Sequence, residues 1–409
     1  MKKGLVLFLM LISGIYCTCA GDGGDLIAID GITAENYPRV DGSTSVEPLN
    51  TLIACKLLGY RYQWRQLMEG NGTWKLEPNK EDIPDNLFGE KIKISQTHNA
   101  IINLIDNRTD IIISARQMSP DERDYAESIG VSLIETPIAL DALDFIVNKN
   151  NSVNTLTVKQ IQDIYLGNIT NWENVGGAED IIKPFIRNDN SGSQEMMNEI
   201  VMKNVDVPDW EKAYPYDDII TTMSVVYREL SLHKNGICFT PHYYREYIVR
   251  EDAVGAVFVK PIAINGVMSS QNSIKIGTYP FVADVYVAIR SDLAHNTTAY
   301  RIYEWLQTPP GQAVISESGY VPKFTTEVNS VGADDFGIFP NPVSDGFRIT
   351  GLKGQARLMI YSPAGIKILS KTISDGEFVD IADLQAGLYI AILFDSSNNK
   401  TASNKIIKI

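Results

Sequence analysis

Short apolar runs alternate with amphipathic stretches along most of the chain. Between about residues 35 and 325 this alternation is typical of α/β domains, in which buried strands and surface helices follow one another. The apolar runs predict strands with the sequences TDIIISA, ALDFIVN, GICFT and FVADVYVAIR. Stretches with apolar residues three and four positions apart predict helices over residues 46–57, 99–107, 157–167 and 298–307.

The pattern changes at two places. Residues 59–93 form a long polar insertion that contains Trp64 and Trp74, and we expect the two tryptophans to pack against the domain. Residues 326–335 are predicted to be a linker. Beyond them helical periodicity disappears, and short strands are separated by turns rich in Gly, Pro, Asp and Asn. Residues 336–409 are therefore predicted to form a small antiparallel β-domain, a sandwich.

Composition excludes two classes of function. The net charge is −14, so the chain has no basic surface that would recruit a nucleic acid. The histidines stand at positions 98, 233, 242 and 295 without paired spacing, so we expect no metal site and no cofactor. The negative charge does not exclude a small anion, because a buried seat of arginine and amide groups acts locally.

The N-terminus has the features of a signal peptide. Lys2 and Lys3 precede an apolar run that is too short to span a bilayer. We expect residues 1–20 to be removed by cleavage after Ala20, with lipidation of Cys17 or Cys19 as the alternative. Cys55 and Cys238 then remain, and we expect both to be buried and unpaired.

The segment RNDNSGSQE, from Arg187 to Glu195, combines a cation with hydroxyl groups at the start of a predicted helix. Ser191 is a good N-cap, and Gln194 completes a capping-box pattern. Gly192 lets an anion approach the free amides of the first helical turn, where Ser191 and Ser193 add hydroxyl donors. Arg187 supplies a planar fork that fits an oxyanion. By itself the segment also fits a plain capped helix.

Two further segments favour an oxyanion site over a plain capped helix. DGSTSVEPL, residues 41–49, places Ser43, Thr44 and Ser45 before another predicted helix. TDIIISARQMS, residues 109–119, ends an apolar strand in Ser114 and Arg116, and ligands bind at the carboxyl ends of strands in open α/β sheets. Together, three hydroxyl-rich element ends predict a seat for an oxyanion.

These segments resemble the phosphate-binding proteins of bacterial phosphate ABC importers. The resemblance covers residues 35–325 and is most specific from Pro137 to Glu195. It implies an α/β fold of the type II periplasmic-binding-protein class with two lobes and a ligand between them. Lobe 1 would comprise about 35–140 and 280–325, and lobe 2 would comprise 141–279.

The resemblance also implies roles for single residues. Asp189 would orient Arg187. Thr97, or else His98, would replace a hydroxyl of the family, and Ser43 would be a further contact. Many relatives have an aspartate that accepts the proton of phosphate where this chain has Ala115 and Arg116. Asp41 or a backbone carbonyl would then accept the proton here. The alternative is that Asp41 only shapes its own turn. Phosphate would be bound by Thr44, Ser45, Ser114, Arg116, Arg187, Ser191, Gly192 and Ser193.

The tail resembles the type A C-terminal sorting domain of the type IX secretion system of Bacteroidetes. The resemblance rests on IFPNP, IYSPAG, LQAGLYIAIL and the closing KIIKI. It implies export to the cell surface or the medium by the type IX machinery, with the periplasm as the alternative location. Inorganic phosphate is the expected partner, together with an ABC importer permease.

Two other functions compete with non-catalytic phosphate binding. One is a secreted phosphatase with Ser43, Ser45 or Ser191 as nucleophile, although no histidine or lysine stands near these serines in the sequence and no Gly-x-Ser-x-Gly elbow is present. The other is an adhesive or scaffolding protein that kept the fold without the ligand. The cluster of Arg187 and Ser191 to Ser193 favours the binding protein over both.

Overall fold

The computed structural model describes residues 29–67, 72–81, 87–189, 191–250, 255–324, 337–350, 352, 354–362, 367–394 and 400–408. The predicted signal peptide and the predicted linker over 326–335 lie outside the described residues.

The described residues between 29 and 324 fold as an α/β unit. Its helices are α1 (Glu47–Leu58), α2 (Thr97–Ile105), α3 (Pro120–Ser128), α4 (Val158–Tyr165), α5 (Gly192–Met196), α6 (Trp210–Ala213), α7 (Val225–Leu232), α8 (Gln271–Lys275), α9 (Thr298–Trp305) and α10 (Pro309–Ser318). Its strands are β1 (Val40–Gly42), β2 (Tyr62–Gln66), β3 (Trp74–Pro78), β4 (Ile111–Ser114), β5 (Leu133–Asn148), β6 (Thr155–Leu156), β7 (Lys183–Pro184), β8 (Ile186–Arg187), β9 (Ile219–Ile220), β10 (Gly236–Pro241), β11 (Val259–Pro261), β12 (Ala263–Ile264), β13 (Val282–Arg290) and β14 (Val321–Pro322).

Strand β5 joins the two halves of the main sheet. The strand order is β1-β4-β13-β5-β10-β7, with β11 and β14 also paired to β5. The first part of β5 pairs with β13 as far as Ala142, and its last part pairs with β10 from Leu143 onward. Ile138 and Ile146 of β5 belong to one apolar core, whereas Phe145 belongs to a second core. The predicted two-lobed α/β fold is confirmed, and the predicted lobe boundaries stay a prediction.

The apolar periodicity located the main elements correctly. The four predicted helices correspond to α1, α2, α4 and α9, and the four predicted strands lie in β4, β5, β10 and β13. Helix α1 ends at Gly59, whose φ of 72° places it in the left-handed conformation common at helix ends. Cys55 and Cys238 are both buried, as predicted, and no disulfide joins them to each other.

The polar insertion contains a β-hairpin, formed by β2 and β3, which pair antiparallel. Trp64 and Trp74 lie on either side of Arg250, with their ring centroids 5.0 and 4.1 Å from its guanidinium carbon. The Nζ of Lys75 lies 2.6 Å from Glu47 at the start of α1. The expectation that the tryptophans pack against the domain is therefore confirmed.

The tail forms a separate β-domain. Its strands are β15 (Gly337–Phe339), β16 (Gly346–Thr350), β17 (Ala356–Tyr361), β18 (Lys367–Ile373), β19 (Phe378–Asp380), β20 (Gly387–Phe394) and β21 (Lys400–Lys408). They form one sheet in the order β15-β16-β19 and a second in the order β18-β17-β20-β21. Phe347 and Ile349 of the first sheet share an apolar core with Leu358 and Ile360 of the second, so the predicted small β-domain is confirmed. Within the described parts of the chain, no helix is long and apolar enough to cross a membrane.

Candidate functional site

A cavity of about 350 Å³ lies where the hydroxyl-rich segments of the sequence meet. Its walls come from the loop before α1, the start of α2, the end of β8 and the start of α5. Of the predicted site residues, the structure brings Ser43, Thr44, Ser45, Thr97, Arg187, Asp189, Ser191, Gly192 and Ser193 to this cavity. The lining includes many residues with hydroxyl or amide groups, so it offers hydrogen bonds to a small polar ligand.

Ser43 begins the wall formed by the first hydroxyl-rich segment. Thr44–Val46 form a single 3₁₀ turn directly before α1, and the first N–H groups of such a turn have no partner inside it. The Oγ of Ser43 accepts a hydrogen bond from Ala115 N at 3.0 Å and another from Thr97 Oγ1 at 2.9 Å. The hydroxyl proton of Ser43 is therefore left to donate to a ligand.

Thr97 and Gly192 meet across the cavity. Thr97 begins α2, and Gly192 begins α5. A Cβ atom added to Gly192 would clash with Thr97 Oγ1, so the close approach of the two helix starts requires glycine. The loop that leads to Thr97 contains Gln96, whose φ of 70° is unusual for a residue other than glycine. The structure thus supports Thr97 as the hydroxyl of this loop.

Arg187 is the buried cation of the site, with 5% of its surface exposed. Its Nε donates to Ile220 O at 2.9 Å, and its Nη2 donates to Thr221 O at 3.4 Å. Its Nη1 donates to Ser193 Oγ at 3.0 Å. Of the five guanidinium N–H donors, one on each terminal nitrogen remains, and this pair fits two oxygens of an anion.

No carboxylate of the described residues forms an ion pair with Arg187. Burial lowers the pKa of its guanidinium from the usual value, since nearby groups compensate for little of the lost hydration. A buried charge without a counter-charge is costly unless a ligand supplies one. The site therefore favours an anion, which would supply the missing counter-charge of Arg187.

The predicted capping box at α5 is absent. Ser191 occupies the N-cap position, but its side chain does not cap the helix; its Oγ lies 3.2 Å from Ser193 Oγ. The Oε1 of Gln194 accepts a hydrogen bond from Arg187 N at 3.0 Å instead. The side chain of Gln194 thus holds the backbone of Arg187, and the hydroxyl of Ser191 is free to reach the cavity.

Arg116 and Ser114 are not among the residues that line the cavity, so the geometry gives no support to their predicted contact with the ligand, which stays a prediction. Both terminal nitrogens of Arg116 donate to the buried carboxylate of Glu122, at 2.7 and 2.9 Å. The hydroxyl of Ser114 donates to Arg116 O at 2.7 Å and shapes the turn after β4. Ala115, between them, does line the cavity.

The described hydrogen bonds of Arg187 do not include Asp189, so the predicted orienting role of Asp189 gains no support from the geometry. The guanidinium is held by the carbonyl oxygens of Ile220 and Thr221. Asp189 lies at the cavity wall, where burial and then the charges of Glu211 and Asp209 raise the pKa of its carboxyl group. Two backbone carbonyls therefore take the role that the resemblance assigned to a carboxylate.

Asp41 does not line the cavity either, so it is not placed to accept a proton from the ligand. Its Oδ1 accepts hydrogen bonds from Gly42 N and Ser95 N, both at 2.8 Å, and its Oδ2 accepts one from Asn103 at 2.9 Å. The carboxylate is fully used in joining β1 to the loop before α2. The alternative, an aspartate that shapes its own turn, is the one that the structure supports.

The sequence did not single out several residues of the cavity wall. Tyr244 follows β10 and lines the cavity, as do Thr221 and Ser224 in the loop after β9. The position of Tyr244, just beyond the carboxyl end of a predicted strand, was a signal of the kind that identified Ser114. The loop residues come close through the tertiary fold alone, and the sequence carried no signal for them.

His98, the alternative to Thr97, also lines the cavity, and its Nδ1 lies 2.8 Å from Glu122 Oε1. Among the described residues, no serine hydroxyl forms a hydrogen bond with His98. Within the same residues, no group of three or more histidine, cysteine, aspartate or glutamate side chains is arranged to hold a metal ion.

Comparisons with known proteins match both parts of the chain. The family model for the PBP superfamily domain matches residues 87–308, more than half of the chain. The model for the secretion system C-terminal sorting domain matches residues 337–409.

Curated relatives and a solved structure extend these matches. The phosphate-binding protein PstS of Borreliella burgdorferi is 20% identical over 323 residues, which cover 78% of this chain and 99% of the relative. PstS of Staphylococcus epidermidis is 26% identical over 238 residues, with 57% of this chain and 70% of the relative covered. A putative phosphate ABC transporter substrate-binding protein from Clostridium perfringens, solved with bound phosphate, has a TM-score of 0.50 and 20% identity, covering 69% of this chain and 98% of its own. At this identity the structural likeness shows a shared fold. The match over residues 87–308 shows that the chain belongs to the PBP superfamily, with a sorting domain of the secretion-system family at its C-terminus.

Proposed function

We propose that this protein binds inorganic phosphate, without chemical turnover, in the cavity between its two lobes. Thr44, Ser45, Ser191, Gly192 and Ser193 would surround the ion together with Arg187, and Ser43 and Thr97 would complete the lobe 1 wall. The names of the curated relatives and the bound phosphate of the Clostridium perfringens protein support this ligand.

The observation that carries the proposal is the state of Arg187. It is buried, it has no carboxylate partner among the described residues, and it keeps one N–H on each terminal nitrogen beside a wall of hydroxyl groups. An anion with several oxygens satisfies all of these groups at once. A neutral ligand would leave the charge of Arg187 uncompensated.

Calorimetric titration of the purified chain with inorganic phosphate near neutral pH tests the proposal. We expect saturable binding of one ion per chain. No heat at millimolar phosphate would contradict the proposal and favour the scaffold function. A phosphatase assay on the same sample addresses the alternative of a hydrolase, since turnover that Ser191→Ala abolishes would show that the protein is more than a binder.

The ion that the site prefers is a finer point of the proposal. Phosphate keeps a proton near neutral pH and sulfate does not, so an acceptor in the wall would discriminate between them. The carboxylate of Asp41 accepts hydrogen bonds from the protein itself. A backbone carbonyl is therefore the remaining candidate for the acceptor of the phosphate proton. Competition between phosphate and sulfate decides: equal affinities would mean that the ligand class is tetrahedral oxyanions in general.

We infer that the protein works outside the cytoplasm, at the cell surface or in the medium. The match of residues 337–409 to a secretion sorting domain supports export, and the type IX machinery would recognise this domain. Phosphate captured there would be passed toward a phosphate ABC importer permease. Protease accessibility of the protein on intact cells tests this location, and complete protection would favour the periplasm.

A further inference from the structure

Tyr244 presents an unpartnered hydroxyl to the site. It is the first residue of a π-helical turn, Tyr244–Val249, that follows β10. It lines the cavity, although only 5% of its surface is exposed. No described residue forms a hydrogen bond with its hydroxyl, and this oxygen is not among the enclosed polar atoms that lack a partner, so the hydroxyl is accessible to a ligand in the cavity.

The preceding residue shows what a structural tyrosine looks like at this place in the fold. Tyr243 is equally buried, but its hydroxyl donates to Ser318 O at 2.8 Å. Its ring stacks on Tyr320 at a centroid distance of 3.8 Å. Contacts inside the protein thus account for both the hydroxyl and the ring of Tyr243, whereas the hydroxyl of Tyr244 has no such contact.

The charges around Tyr244 favour a hydrogen-bond donor. Burial raises the pKa of its phenol to about 12, with Arg187 acting in the opposite direction and Glu47 in the same direction. The hydroxyl therefore keeps its proton at neutral pH. Tyr244 and Arg187 line the same cavity, so the phenol faces the space in which the cation would hold the anion.

We propose that the hydroxyl of Tyr244 donates a hydrogen bond to an oxygen of the anion bound by Arg187. This inference rests on the proposed function, and it adds a group that the sequence comparison did not assign. Tyr244 would contribute from the π-helical turn that follows β10, a strand paired to the part of β5 that begins at Leu143.

The test compares Tyr244→Phe with Tyr243→Phe in the full-length chain. Each variant loses one hydroxyl and keeps its ring, but only the first variant changes the cavity wall. We expect Tyr244→Phe to weaken phosphate binding about ten- to hundredfold in calorimetry, the range for a hydrogen bond to a charged group. Tyr243→Phe should keep the wild-type affinity within about twofold, because its hydroxyl contacts only the protein.

The outcomes separate this inference from the proposed function. If the wild type does not bind phosphate, the proposed function fails and this inference falls with it. If the wild type binds phosphate and Tyr244→Phe binds it equally well, only the role of Tyr244 is overturned. A second measurement does not depend on the folding of a variant: saturating phosphate should change the near-ultraviolet tyrosine absorbance of the wild type, and no change would overturn the inference.

Discussion

At the scale of single residues, Arg187 is the group on which anion binding depends most. We expect Arg187→Ala to weaken phosphate binding by about 2–5 kcal/mol, since truncation leaves a desolvated anion without its charged partner. Arg187→Lys should recover only part of the loss, because an ammonium group lacks the planar fork. Calorimetry with phosphate measures both changes.

The matched control for Arg187 is Arg123→Ala. Arg123 lies outside the cavity, 3.5 Å from Glu135, and its side chain is 45% exposed. Its loss should leave phosphate affinity unchanged, because Arg123 does not line the cavity. Wild-type affinity in Arg187→Ala would show that the anion binds elsewhere.

Gly192 gives a prediction about the fit of the two lobes. Gly192→Ala should weaken phosphate binding more than tenfold, because the new methyl group overlaps Thr97 Oγ1 and prevents full approach of the two helix starts. Adding Thr97→Ala removes the overlapping atom and should restore part of the affinity, despite the loss of a hydroxyl. A double-mutant cycle measured by calorimetry reports this coupling.

Gly89→Ala serves as the control for that cycle, because an added Cβ at Gly89 meets no atom within 4 Å. It should leave phosphate binding as in the wild type. Strictly additive effects of Gly192→Ala and Thr97→Ala would contradict the close contact.

The comparison of Arg187 with Arg116 shows what the sequence can and cannot predict about a site. Arg187 ends β8 and Arg116 follows the end of β4 by two residues. Both stand near hydroxyl residues, so both were predicted to bind the ligand. Glu122 neutralises Arg116 because the turn after β4 brings the start of α3 back over it. The pairing of Arg116 with Glu122 depends on how the chain folds back after β4, and the pattern of hydroxyl residues around Arg116 does not show it. Hydroxyl groups at helix starts were predictable because they lie close to the helix in sequence.

At the scale of elements, the crossing between lobes holds a buried group of ionisable residues. Asp141, in β5, accepts hydrogen bonds from Ala142 N at 2.8 Å and from Tyr243 N at 3.0 Å. Asp144 accepts from Arg245 Nε at 2.7 Å and lies 3.0 Å from His242 Nδ1. Burial raises the pKa of Asp141 from 3.8 to about 6, and His242 acts against this effect.

This shift predicts how stability depends on pH. Between pH 3.8 and about 6, folded Asp141 holds a proton that the unfolded chain has lost, so its contribution of roughly 3 kcal/mol decreases as pH rises. Asp141→Asn keeps the acceptor oxygen and removes the titration. We expect this variant to lose that decrease in the free energy of unfolding, measured by denaturant titration across the same range.

The neighbouring groups act in other pH ranges and do not obscure the effect. Burial opposes charge on Asp144, but His242 and Arg245 outweigh it and lower the pKa of Asp144, so its contribution is lost only as pH falls below 3.8. Burial also opposes charge on His242, but Asp144 outweighs it and raises the pKa, so that contribution is lost as pH rises above 6.5. The exposed Asp124→Asn is the control and should keep the wild-type profile; the same profile in Asp141→Asn would refute the assignment.

Elements with a strong apolar period were predictable, whereas elements that depend on distant partners were not. Helix α4 carries Ile161 and Ile164 on its buried side and matched its prediction closely. The hairpin of β2 and β3 lacked such a signal because its strands are polar and only half buried. Its tryptophans pack on Arg250, which is distant in sequence. The position of the hairpin therefore depends on tertiary contacts that the sequence pattern does not show.

At the scale of the whole molecule, binding and export are assigned to separate parts. The β-domain has its own apolar core, which includes Phe347 and Leu358, and none of its described residues lines the cavity. A chain that ends at residue 324 should therefore bind phosphate with wild-type affinity in calorimetry. Produced in its native cell, it should accumulate in the periplasm, and normal surface delivery would refute the sorting role of the tail.

The contact between Thr97 and Gly192 has a kinetic consequence. With these helix starts touching, an ion cannot pass between them, so capture must occur in an open form and be followed by closure. We expect the observed binding rate in stopped-flow fluorescence to rise with phosphate concentration and then to level off at the rate of closure. In Gly192→Ala, which cannot complete the contact, the rate should keep rising over the same range. The contact at Gly192 would thus determine whether the observed rate of phosphate binding is limited by diffusion or by closure of the two lobes.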